Sequence, residues 1–107
     1  MSKFVVVTEA NFDTEVLQSQ VPVLLQFWAS WCGPCKIVGG LVDQLSEEYS
    51  DSLKVGKINV DEEIDLAGRH AVSTIPTLVV YHGGKIVNQS VGAIPKQNIY
   101  SLFKDLL

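Results

Sequence analysis

The feature that most constrains this chain is Trp31-Cys32-Gly33-Pro34-Cys35, set between two segments of opposite periodicity. Before it runs Val23-Leu24-Leu25-Gln26-Phe27-Trp28, apolar and β-prone with a single polar interruption. After it, Ile37, Val38, Leu41, Val42, Leu45 and Tyr49 recur at three- and four-residue steps, the signature of a helix. The pair therefore sits where a strand turns into a helix. Pro34 fits a first helical turn, where a backbone N–H would have no helical partner. Cys32 then meets free N–H groups and the positive end of the helix dipole, which favour a thiolate.

These are the only two cysteines in 107 residues. A disulfide across so small a ring is a poor staple: loop entropy assigns it about 2 kcal/mol, against about 4.7 kcal/mol for a 100-residue loop. Two thiols this close fit chemistry in which the bond forms and breaks.

The remaining pattern alternates strand and helix. Strands are predicted at 4–7, 23–29, 53–60, 77–81 and 86–91, with His82-Gly83-Gly84-Lys85 as a hairpin turn between the last two. Helices are predicted at 11–18, 34–49, 61–71 and 96–106. Thr8 is placed as a cap for the first. The inward residues are expected to be Phe12, Val16 and Leu17 in the first helix and Ile64, Leu66 and Ala67 in the third. In the last they are Ile99, Leu102, Phe103 and Leu106. The order β-α-β-α-β-α-β-β-α argues an α/β sandwich, and the length fits one domain over 1–107.

The Trp-Cys-Gly-Pro-Cys-Lys run resembles the thioredoxin family, and the resemblance covers essentially the whole chain. Phe27-Trp28-Ala29, Lys57-Ile58-Asn59-Val60-Asp61, Ile75-Pro76-Thr77, Gly83-Gly84-Lys85 and Val91-Gly92-Ala93 follow in family order and spacing. It implies a thioredoxin-like three-layer sandwich. A five-stranded mixed sheet, ordered first, third, second, fourth, fifth, would be flanked by four helices. The implied activity is general protein thiol–disulfide exchange through a mixed disulfide, with Cys32 as nucleophile and Cys35 as the resolving thiol. Gly33 and Pro34 would tune the potential. A cis Ile75-Pro76 bond is implied beside the sulfurs. Trp31, Gly33, Pro34, Ile75, Pro76, Gly92 and Ala93 would form an apolar docking patch for a protein disulfide substrate. Trp28 would pack under the site, its indole donating to Asp61.

Three places depart from the family: Gln26, Gly39-Gly40, and Thr74 before Ile75-Pro76, which could tune substrate contacts. Gln26 stands where a buried aspartate is usual, near Lys57, and an amide has no useful proton affinity near neutral pH. The base role therefore does not carry over, and the resolving step is predicted to be slower than with a carboxylate. Gln26 and Lys57 are kept as residues that tune the pair, Lys57 reaching outward or bonding the Gln26 carbonyl. Gly39-Gly40 replaces a kinking proline, which predicts a bend or a softer helix.

Composition narrows the alternatives. Apolar residues make up 47% of the chain and charged residues 19%, below the usual figure of about 25%, which argues against disorder. A net charge of −4 offers no basic stripe for nucleic acid. No secretory apolar region or membrane-length run is seen, so a cytoplasmic monomer is expected. No G-x-G-x-x-G fingerprint is present, so no bound cofactor is expected, and electrons would come from a separate donor of the thioredoxin-reductase type. Two other readings stand beside this one. One is a binding scaffold whose thiols are incidental, which a double cysteine-to-serine variant would separate. The other is a zinc site needing Cys32, Cys35, His70 and His82 together, a spacing that fits no finger pattern; no metal is expected.

Overall fold

The computed structural model describes residues 3–107. Five strands, β1 (Phe4–Val6), β2 (Val23–Trp28), β3 (Lys54–Asn59), β4 (Thr77–His82) and β5 (Lys85–Val91), form one sheet in the order β1-β3-β2-β4-β5. The β1–β3 and β2–β3 pairs are parallel, and β2–β4 and β4–β5 are antiparallel. The sheet is therefore mixed, in the order expected of the family. Its helices are α1 (Gly33–Glu48), α2 (Ile64–Arg69) and α3 (Lys96–Ser101). A π-helical segment (Asp13–Leu17) precedes β2 and a 3₁₀ turn (Lys104–Leu106) follows α3.

The site is positioned by how β2 divides its side chains. Strand residues alternate between faces. Leu25 and Phe27 enter one core with Phe12, Val16, Ile58 and Leu66. Leu24 enters the other, beneath α1 and α3, with Val38, Val42, Leu45, Ile99 and Phe103. Gln26 and Trp28 follow Leu24 at steps of two, so they share the α1 face. That places a polar amide in the layer where the cysteine-bearing helix lies. Phe27, Leu24 and Leu25 are fully buried, as befits a central strand covered on both faces.

The hairpin forms as predicted. His82 pairs with Lys85, and Gly83 and Gly84 have φ of 62° and 78°. Two successive positive values suit the two-residue turn that matches strand twist, and glycine adopts them without strain.

Several local expectations are corrected. The first helix is short and π-type, with the Gln18 N–H donating to Asp13 O at 3.0 Å. Its N-cap position is Phe12, with no side-chain cap bond, so Thr8 is not the cap; Thr8 instead donates its N–H to Asn11 Oδ1 at 2.8 Å in the approach. Leu17 and Ile64 face outward, Ile64 at 72% exposure, because each lies off the buried stripe of a very short helix. The last helix breaks after Ser101 and resumes as the 3₁₀ turn, while Ile99 and Phe103 stay fully buried. Apart from these corrections, helix α1 is continuous through Gly39-Gly40, a continuity compatible with a bent or a softer helix there.

Candidate active site

Strand β2 ends at Trp28, and the Cys32 N–H donates back to Ala29 O at 3.1 Å, closing a tight turn. Cys32 is the N-cap of α1, with φ −93° and ψ 106°, and Pro34 lies in the first turn. The Cys32 sulfur accepts from the Cys35 N–H at 3.2 Å. A sulfur bearing negative charge would thus receive a direct hydrogen bond as well as the field of a sixteen-residue helix. Cys32 and Cys35 are joined as a disulfide, with Cα atoms 5.3 Å apart. Both are buried, at 5% and 2% exposure, in a small cluster with Ala29 against which Trp28, Val60 and Ile75 pack.

The Ile75–Pro76 bond is cis, and Ile75 O lies 3.9 Å from the Cys32 sulfur. Pro76 O accepts from the Gly92 N–H at 2.8 Å, which fixes the Val91-Gly92-Ala93 turn beside that loop. Gly92 has φ of 94°, a region a larger side chain rarely occupies. Trp31, Gly33, Pro34 and Ala93 are exposed, while Ile75 and Gly92 are half-buried and Pro76 is buried. Trp31 is 70% exposed, high for an aromatic side chain of this size, and its indole N–H donates to Asp61 Oδ2 at 2.8 Å. The indole bonded to Asp61 is therefore that of Trp31, and the expectation for Trp28 is corrected. Asp61 lies beyond β3, within reach of the exposed turn, whereas Trp28 sits half-buried beneath it.

Gln26 is 1% exposed. Its Nε2–H donates to Cys35 O at 3.0 Å, and its Oε1 has no partner. Lys57 is the β3 residue in register with Gln26. Its side chain is 14% exposed in the wall of an open cleft, and its ammonium does not bond the Gln26 carbonyl, so of the two expected positions only the second is corrected. The ammonium lies 2.7 Å from Asp43 Oδ1 and 4.3 Å from the centre of the Phe4 ring. The Asp43 contact is an ion pair without a well-directed hydrogen bond. Sequence reasoning missed Asp43. The signal was present, because Cys35, Gly39 and Asp43 are spaced by four and so form one stripe of α1. That stripe faces Gln26 and Lys57: a Cβ on Gly39 would lie 3.6 Å from both amide atoms of Gln26 and from Lys57 Nζ.

Among the described residues no three His, Cys, Asp or Glu side chains converge as a metal site. His70 is engaged in the opposite core, with Nδ1 2.8 Å from Leu66 O and Nε2 2.6 Å from the Tyr81 hydroxyl. A carbonyl only accepts, so Nδ1 carries the hydrogen and, with a neutral ring, Tyr81 donates to Nε2. Burial raises the Tyr81 hydroxyl above its ordinary value of 10.0, and the nearby Arg69 partly opposes this.

The thioredoxin family model matches residues 3–105. The chain is 45% identical over 97 residues to a thioredoxin of Chlorobaculum thiosulfatiphilum, covering 91% of this chain and 90% of that protein. It is 46% identical over 99 residues to thioredoxin 1 of Synechococcus elongatus, covering 92% of each. It is 45% identical over 93 residues to the chloroplastic M-type thioredoxin of Chlamydomonas reinhardtii, covering 87% of this chain and 66% of that protein. With the sheet order, the helix-capping cysteine and these relatives in agreement, the chain belongs to the thioredoxin family and is a thiol–disulfide oxidoreductase.

Proposed function

We propose that Cys32 is the attacking thiolate and Cys35 the resolving thiol of a general protein-disulfide reductase. The observation that carries this assignment is the 3.2 Å hydrogen bond from the Cys35 N–H to the Cys32 sulfur at the N-cap of α1. It favours negative charge on Cys32 and gives Cys35 no equivalent partner. In the reductive direction the Cys32 thiolate attacks one sulfur of a substrate disulfide, and the other substrate sulfur leaves as thiolate. Cys35 loses its proton, attacks the Cys32 sulfur and releases the second substrate thiolate. The pair ends as the disulfide, and a separate reductase of the thioredoxin-reductase type restores both thiols.

Substrate docks on Trp31, Gly33, Pro34, Ile75, Pro76, Gly92 and Ala93. Small residues at Gly92 and Ala93 let an extended chain approach, and Ile75 offers backbone beside the sulfur. Gly33 and Pro34 set the geometry of the pair, and Gln26 and Lys57 tune the proton loss of Cys35 from beneath. The protein acts as a cytoplasmic monomer and needs no bound cofactor.

The test is insulin reduction with dithiothreitol as donor, followed by trapping. The wild-type chain should precipitate the insulin B chain, and Cys32→Ser should not. Cys35→Ser should accumulate a mixed disulfide through Cys32, identified by mass spectrometry. Trapping through Cys35 in the Cys32→Ser variant at a comparable rate would overturn the assignment.

A further inference from the structure

A cleft of about 420 Å³ opens behind the cysteine pair, with Gln26, Cys35, Gly39, Asp43, Lys57 and Phe4 in its wall. Gln26 Oε1 is an unpartnered acceptor on a side chain that is 99% buried. Such an oxygen ordinarily has a water partner; the cleft wall is mostly apolar, but it is roomy enough for water where Gln26, Asp43 and Lys57 supply polar groups. Lys57 Nζ and the Gln26 amide both lie 3.6 Å from the missing Cβ of Gly39, so they face the same small volume. Asp43 closes the stripe. Its Oδ1 is buried against Lys57, yet its side chain is 32% exposed and so also meets bulk water.

We propose that Asp43 is the proton acceptor for Cys35, acting through water in this cleft, with Gln26 Oε1 and Lys57 as positioning groups. The inference rests on the assignment of Cys35 as the resolving thiol. That step has a proton to place: the Cys35 S–H breaks, the Cys35 sulfur bonds the Cys32 sulfur, and the bond from Cys32 to substrate breaks with its electron pair leaving on the substrate thiolate. Gln26 cannot take the proton and the Lys57 ammonium already carries its own. Of the other charged groups in the wall, Lys36 is a cation, and Glu62 and Glu63 lie in the loop before α2. Asp43 is the carboxylate on the same helix stripe as Cys35. Once protonated, it returns the proton to solvent through its exposed side.

The test is stopped-flow reaction of reduced protein with 5,5′-dithiobis(2-nitrobenzoate), across pH 5.5 to 9. The first release of nitrothiobenzoate reports attack by Cys32, and the second reports resolution by Cys35. Asp43→Asn should lower the ratio of second to first rate about tenfold or more at pH 7, and make the second phase rise steeply with pH. A purely electrostatic Asp43 predicts the opposite sign, because removing a negative charge favours the Cys35 thiolate. Asp43→Glu should restore most of the ratio. Gly39→Ala puts a methyl group in ordinary contact with the Gln26 and Lys57 side chains and improves the helix, so it should slow the second phase while keeping or raising the denaturation midpoint. A wild-type ratio and pH profile in Asp43→Asn would overturn the proposal. Loss of both releases in the wild-type chain would instead overturn the disulfide-exchange reading on which it rests.

Discussion

Replacing Gln26 by aspartate should destabilise the protein by an amount that grows with pH. Gln26 is buried and its Nε2–H donates to Cys35 O at 3.0 Å. Aspartate is one methylene shorter and has no N–H. The lost packing is worth about 0.8 kcal/mol. The lost hydrogen bond is worth about 1 kcal/mol, since the Cys35 carbonyl stays within the α1 ladder. Near pH 4 the variant should therefore be about 2 kcal/mol less stable. Ionisation adds a second part. Burial raises the folded pKa of the new carboxyl above its unfolded value of about 3.9. A group shifted in that direction contributes its full stability below the unfolded pKa and loses it as pH rises through the folded value. Each unit of the shift costs about 1.4 kcal/mol above the folded pKa. Lys57 would offset part of this, but its ammonium is already held by Asp43. By pH 8 the total should reach about 3–5 kcal/mol. Urea denaturation of the oxidised protein at pH 4 and pH 8 measures both parts, with the denaturant slope unchanged. Equal destabilisation at the two pH values, or a variant midpoint above wild type at pH 8, would refute the reasoning.

Trp31→Ala should raise KM for protein disulfides several-fold while the rate with a small aromatic disulfide changes less, because the 70%-exposed indole offers surface only a large partner can cover; steady-state insulin reduction beside a small-disulfide assay checks this. Tyr81→Phe removes the 2.6 Å hydrogen bond to His70 and should cost about 1–2 kcal/mol near neutral pH. Since burial holds the Tyr81 hydroxyl above 10.0, wild-type stability falls as pH rises past that value, and the variant should show a flatter alkaline limb in urea titrations between pH 9 and 11. Phe103→Ala should cost about 3–5 kcal/mol, because the ring is fully buried against Tyr49 and Tyr100, and thermal unfolding with denaturant titration would measure it.

The sheet was legible in the sequence because its strands carry alternating or continuous apolar runs bounded by Pro, Gly and Ser, and because Gly83-Gly84 names its own turn. The order of those strands came from the resemblance, since alternation alone does not say which strand sits centrally. The short helices were less legible. Leu17 and Ile64 look inward on an ideal 3.6-residue wheel, but segments of five and six residues bury too few positions to hold that wheel. At the site, the cysteine pair was readable from five consecutive residues, and its place at the helix start from the apolar strand run before it and the helical periodicity after it. The Trp31–Asp61 bond was not, because it depends on where the loop after β3 returns. Asp43 was hidden for a similar reason. It reads as one solvated charge among several on α1, and only the parallel register of β2 with β3 brings Lys57 to it.

The most direct test of the account is alkylation of the reduced protein by iodoacetamide at pH 6, with each site followed by peptide mass spectrometry. The helix N-terminus and the hydrogen bond from the Cys35 N–H favour thiolate on Cys32 alone. Cys32 should therefore be labelled at least about tenfold faster than Cys35, with a rate that levels off near neutral pH. Equal labelling of the two sulfurs, or faster labelling of Cys35, would contradict it.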